Sequence, residues 1–262
     1  SLQNRIYWAV TYYRAMSDVE EKKDVDRQYV WLIRYGLTEF SLVEGVGPYD
    51  SDIHPVEGVA HAQAVADKLC NSTPKPDAVY ADPFLRCTHT GHIIASTVQA
   101  PLKIEEGLTE WQTPSLLVDP KGATTHPRTA EDHKKRFDTI DLTYSSLNPA
   151  EEGKAGAPNF EESVEDLKIR CSATLDKIFG AMDTPQNAAI VSHAPCNQMM
   201  ALYLAGQDTN LVKPWSLGGV TCFSRSHDKD AQWTLEYFSD TDHMPGEYKE
   251  GVKGRWSLPD FQ

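Results

Sequence analysis

The chain has 262 residues, and 38 Asp and Glu against 25 Lys and Arg leave a formal net charge of −13. Such an acidic surface repels a phosphate backbone unless a basic stripe overrides it, and the short cationic run at 133–136 sits among acids, so the charge argues against a nucleic-acid partner. No stretch approaches the roughly 18 apolar residues of a membrane span, and the five cysteines form no CxxC pair, which suits a reducing, intracellular setting over a disulfide framework.

Residues 1–27 read as an extension: Ile6, Ala9, Val10 and Tyr13 keep helical spacing, and a charged linker follows at 18–24. Arg14 interrupts the apolar stretch, so a signal peptide is not expected. The domain proper is placed at 28–262. It opens with a continuous apolar run at 29–33, the pattern of a buried parallel strand. A helix is predicted at 56–69, a strand at 77–81, a helix at 85–98 and a short strand at 102–104. Residues 112–160 are rich in Pro, Thr, Lys and Gly and break the alternation, the mark of a lid or specificity insertion. A helix at 162–179, a strand at 188–192, a helix at 196–204 and a hairpin from 220–224 and 233–238 complete the chain. Strands alternating with helices of this size predict a three-layer α/β/α fold around a mixed, mostly parallel sheet.

In such sheets ligands bind beyond the carboxyl ends of the strands. Arg34 follows the first strand, Arg86 the second, Glu110 the short third and His193 the fourth. Two guanidinium forks favour a phosphate dianion, and a helix starting at 83–84 would add its free N–H groups. His193 can donate a charged hydrogen bond, and Glu110 can protonate a leaving group if its pKa is raised, for which Trp111 would supply an apolar wall. The pattern reads as a phosphate-ester pocket that needs no cofactor. His89 and His92 stand three apart on a helix without a third ligand at metal spacing, so no metal is expected and His89 is placed near the rim. His126 and Arg128, in the basic part of the insertion, are candidate substrate contacts.

In chain order the motifs are Arg34-Tyr35-Gly36-Leu37-Thr38, Asp82 with Arg86 and Thr90, Glu110-Trp111, Glu162-Ser163 with Arg170, and Ser192-His193-Ala194. This series resembles the histidine phosphatase superfamily of the phosphoglycerate-mutase-like fold, over roughly residues 29–238. The resemblance implies metal-independent hydrolysis of a phosphate monoester, of a small sugar- or polyol-phosphate type, through a phosphohistidine. Carried across, Arg34, Arg86, His193 and Ser41 are phosphate ligands, Glu110 is the general acid, and Thr38 belongs to the specificity set. Tyr35 stands where the family places its nucleophilic histidine. A phenol is a weak nucleophile at neutral pH and a phosphotyrosine leaves poorly, so little or no turnover is expected. The alternative is a pseudo-phosphatase that binds a phospho-ligand or a protein partner without catalysis.

Overall fold

The strand at the centre of the sheet shows why the fold forms. In β1 (Arg27–Arg34), Val30 and Leu32 enter one apolar cluster while Trp31 and Ile33 enter another. The same division holds for Ala78 and Tyr80 against Val79 and Ala81, and for Ala188 and Ile190 against Ala189 and Val191. A strand buried on both faces gains nothing from polar alternation, hence the continuous apolar runs. The computed structural model describes residues 27–38, 50–113, 128–154, 156–157, 161–181, 186–228 and 231–250. The expected helix at the start of the chain lies outside them.

After β1 come α1 (Glu57–Cys70), β2 (Ala78–Ala81), α2 (Leu85–Val98) and β3 (Leu102–Ile104). Next are a short α3 (Ala130–Lys134), α4 (Val164–Gly180), β4 (Ala188–Ser192), α5 (Ala194–Leu204), β5 (Val220–Ser226) and β6 (Thr234–Asp240). The sheet order is β3-β2-β4-β1-β5-β6. Pairs among β3, β2, β4 and β1 are parallel, and β5 and β6 join antiparallel. This is the mixed, mostly parallel sheet expected, with α4 and α5 supplying the first cluster and α1 and α2 the second. Among the described residues no helix is long and apolar enough to cross a membrane.

Two glycines let the first turn close. A Cβ on Gly36 would lie 2.6 Å from the Gly58 carbonyl oxygen, and one on Gly58 would run into the Leu37 carbonyl. The segment leaving β1 therefore lies directly on the start of α1, a backbone approach that no larger residue permits.

Within the insertion, the described residues 137–141 cover the sheet edge: Leu102 N donates to Thr139 O at 3.0 Å and Asp141 N to Leu102 O at 2.8 Å. Beyond β3 the buried Glu105 carboxylate accepts from Tyr144 Oη (2.5 Å), Ser146 Oγ (2.7 Å) and the amides of Gly107, Leu147 and Asn148 (3.0, 2.8 and 3.1 Å). A buried carboxylate is tolerated only when so satisfied, and here it pins the later half of the insertion into the wall of the domain.

Candidate functional site

Because β3, β2, β4 and β1 lie side by side and run parallel, their carboxyl ends open at one mouth. Arg34 is the last residue of β1 and Tyr35 follows it. Asp82 leaves β2, and Arg86 and Cys87 lie in the first turn of α2. A 3₁₀ turn at Glu106–Leu108 carries the chain from β3 to Glu110, and His193 follows β4. The structure thus brings together the four residues expected at the rim.

His193 is completely buried between two carboxylates, with Nδ1 2.7 Å from Glu110 Oε2 and Nε2 3.0 Å from Asp82 Oδ2. Burial alone favours the neutral ring, yet Cys87, Glu110 and Asp82 around it hold its pKa well above the usual value. Burial pushes the Cys87 thiol up to about 11. His193 is therefore an imidazolium with both N–H groups donating to carboxylates. Burial works to raise Glu110, but His193 and Arg86 outweigh it and hold the carboxyl below its ordinary value. That corrects the expectation of a raised acid: with the pocket as it stands, Glu110 is ionised. Trp111 does not face it as an apolar wall; its indole Nε1 donates to Glu162 O at 2.9 Å while its own amide donates to Glu110 Oε1 at 3.0 Å.

Arg86 is buried, with Nη2 3.3 Å from His193 Nδ1 and 3.7 Å from Glu110 Oε2. Its guanidinium stacks over the Tyr35 ring at 5.0 Å and the Phe84 ring at 4.8 Å. Arg34 Nη1 donates to Trp215 O at 2.7 Å, and its guanidinium lies 5.6 Å from the Tyr35 centroid. The Tyr35 and His193 rings meet edge-on at 5.2 Å.

The motif residues around the pocket have plain mechanical roles. Thr90 Oγ1 donates to Arg86 O at 2.8 Å and accepts from Gly36 N at 3.1 Å, tying the turn after β1 to α2. Ser192 Oγ donates to Leu108 O at 2.7 Å, joining the end of β4 to the approach to Glu110. The helix terminus expected to receive an anion is already taken: the Phe84 amide donates to Asp82 Oδ1, and Leu85 N donates to Asp50 Oδ1 at 2.6 Å. The sequence motif assigns Asp82 no role, yet its place directly after β2 and before Pro83 is the signature of an Asx turn.

The remaining candidates stand apart from this cluster. His89 Nδ1 pairs with Asp52 Oδ1 at 2.8 Å, and Arg128 pairs with Asp50 at 3.1 Å. Thr38 is buried in an isolated antiparallel bridge to Ile53. Ser41 and His126 lie outside the described residues. Asp82, Cys87 and His193 present donor atoms within 4.8 Å of one another, a set a thiophilic cation accepts. Asp82 and His193 already satisfy each other as an ion pair, and the arrangement needs no metal to account for it.

One curated relative is the transcription factor tau 55 kDa subunit of Saccharomyces cerevisiae, 27% identical over 187 residues that make up 68% of this chain and 41% of that protein. Another is the mouse ubiquitin-associated and SH3 domain-containing protein A, 26% identical over 198 residues, 68% of this chain and 29% of that one. The chain thus spans less than half the length of either. Among solved structures, a phosphoserine phosphatase from Entamoeba histolytica in complex with 3-phosphoglyceric acid has the same fold, with a TM-score of 0.55 at 20% identity over 82% of this chain and 98% of that one. The profile of the histidine phosphatase superfamily (branch 1) matches residues 30–241, and the chain belongs to that family.

Proposed function

We propose that this protein descends from metal-independent phosphomonoesterases acting on a small phosphorylated metabolite of sugar or polyol type, and that Tyr35 holds its own turnover to little or none. The observation that carries the reading is the meeting of Arg34, Arg86 and His193 around one side chain at the strand ends. Two guanidiniums and an imidazolium gathered there suit a phosphoryl dianion. The small phosphorylated ligand of the Entamoeba relative fits the same class.

With an imidazole at position 35, its nitrogen would attack phosphorus as the ester P–O bond breaks, and the departing alkoxide would take a proton from Glu110. A dianion arriving beside Arg86 and His193 would draw those cations off Glu110 and raise its pKa, so that this carboxyl could serve as the acid. Water would then release phosphate from the phosphohistidine. Tyr35 cannot complete the second step at a useful rate, and the loss of a nucleophile elsewhere has cost on the order of a million-fold. Assay of wild type and Tyr35→His against a panel of phosphate monoesters tests this directly. Hydrolysis of at least one ester by the histidine form, and none by wild type, is expected; two inert proteins would refute it.

A second reading is favoured by Tyr35 itself and by the likeness to a transcription factor subunit. Here the domain binds a phospho-ligand or a protein partner and has no catalytic role. It predicts that Tyr35→His stays inert on every ester.

A further inference from the structure

We infer that the Tyr35 ring is a resident plug of the anion cradle, occupying the place a phosphoryl group would take and keeping the site closed to phosphate. This rests on the phosphate-pocket reading and adds how access to that pocket is controlled. The ring is the common neighbour of three cationic groups at the mouth: its centroid lies 5.0 Å from the Arg86 guanidinium, 5.6 Å from that of Arg34 and 5.2 Å from the His193 ring. An aromatic face presents electron density to a cation, so Tyr35 offers the two guanidiniums a weak substitute for the negative charge of a ligand.

The reach of the side chain points the same way. A phenol oxygen projects about 2 Å beyond the imidazole nitrogen of a histidine on the same backbone, while a nucleophile and the phosphorus it attacks approach to about 3 Å. The extra length therefore falls in the space that phosphorus would need. Nor is the ring anchored elsewhere: among the described residues the Tyr35 hydroxyl makes no hydrogen bond, and the side chain is held by ring contacts and by packing against both the core of the α1 and α2 face and the small Leu37, Leu217 and Met244 cluster. The plug is held by its face rather than its tip.

The remaining charges are arranged for a closed state. Both N–H groups of His193 point at carboxylates, and Arg34 spends a donor on the Trp215 carbonyl. An entering dianion must displace the ring and reclaim these donors at once. Removing the ring lifts the first of those costs.

Calorimetric titration with inorganic phosphate, repeated with tungstate, tests the plug in wild type, Tyr35→Ala, Tyr35→Phe and Tyr35→Ala combined with Arg86→Met. Tyr35→Ala should bind phosphate at least roughly tenfold more tightly than wild type, since two cation–π contacts no longer compete. Tyr35→Phe keeps the ring and its two cation–π contacts but loses the oxygen that reaches into the phosphorus position, so it should bind more tightly than wild type and less tightly than Tyr35→Ala. Adding Arg86→Met should abolish the gain. Tyr35→Ser serves as a second small variant, with thermal melting to show that each protein is folded. Equal binding by wild type and Tyr35→Ala overturns the plug and leaves the phosphate pocket standing. Absence of binding in every folded protein, with Tyr35→His included, overturns the pocket itself.

Discussion

Arg170 and Arg86 are both buried, both face a glutamate, and both have pKa values raised by the negative groups around them although burial works against the charge. Their geometry differs. Arg170 grips Glu162 with a two-pronged fork, Nε to Oε1 at 2.7 Å and Nη2 to Oε2 at 2.8 Å, and its Nη1 donates to Gly107 O at 2.9 Å and Thr109 O at 2.8 Å. Arg86 reaches its glutamate only at 3.7 Å and lies against two aromatic faces. One arginine closes a structural knot, while the other lies between two aromatic faces beside His193 and Glu110. The knot serves the mouth. Glu162 also accepts from Gln112 N at 3.1 Å and donates its own amide to Gln112 O at 2.7 Å, so the loop carrying Glu110 is clamped on both sides.

The comparison breaks most clearly by removing each guanidinium. Arg170→Met leaves the Glu162 charge buried without its cation, a loss of about 3–5 kcal/mol in unfolding free energy. Arg86→Met leaves Glu110 still paired with His193 and should cost less than half as much by the same denaturant titration. Equal losses would mean that Arg86 is as structural as Arg170.

The pocket's charges also predict a pH signature. His193 has a raised folded pKa, so its contribution is complete below the ordinary imidazole value of about 6.5 and disappears as pH rises through the folded value. Glu110 has a lowered folded pKa; its contribution is complete above about 4.3 and disappears as pH falls through the folded value. Unfolding free energy measured from pH 5 to 10 should therefore decline on the alkaline side in wild type, and the decline should flatten in His193→Gln. An unchanged alkaline slope in the variant would mean that the imidazolium contributes nothing to folding.

How much of this was legible in the sequence follows from the range of the interactions involved. The helix at Leu85–Val98 and the strand at Ala188–Ser192 fall where the apolar pattern puts them, because burial on one helical stripe or on both faces of a strand writes itself locally. The gathering of Arg34, Arg86, Glu110 and His193 was also legible, since parallel neighbouring strands must end together. The packed half of the insertion was not. Its anchor is Glu105, whose partners at Tyr144, Ser146, Leu147 and Asn148 lie some forty positions away, and no periodicity reports such a carboxylate. The occupied start of α2 was half legible. Asp82 before Pro83 announces a turn, but Asp50 reaches Leu85 from 35 positions upstream. The lowered pKa of Glu110 needed the three-dimensional fact that His193 touches it.

The smallest expected effect concerns the entry to α4, where the knot begins. Ser163 caps the helix: its Oγ accepts from Asp166 N at 3.1 Å, and the Asp166 carboxylate accepts in return from Ser163 N at 3.2 Å. This reciprocal pair fixes the backbone immediately after Glu162 and so sets the direction from which that carboxylate meets Arg170. Ser163→Ala should cost about 1 kcal/mol, the usual value of a lost cap. If the cap only stabilises the helix, that loss will be the same in wild type and in Arg170→Met. If it also aims Glu162 at its partner, the two substitutions will not add, and a double-mutant cycle will show a coupling above about 0.5 kcal/mol. A coupling of zero would separate helix capping from the clamp on Glu110 and reduce the knot to the fork alone.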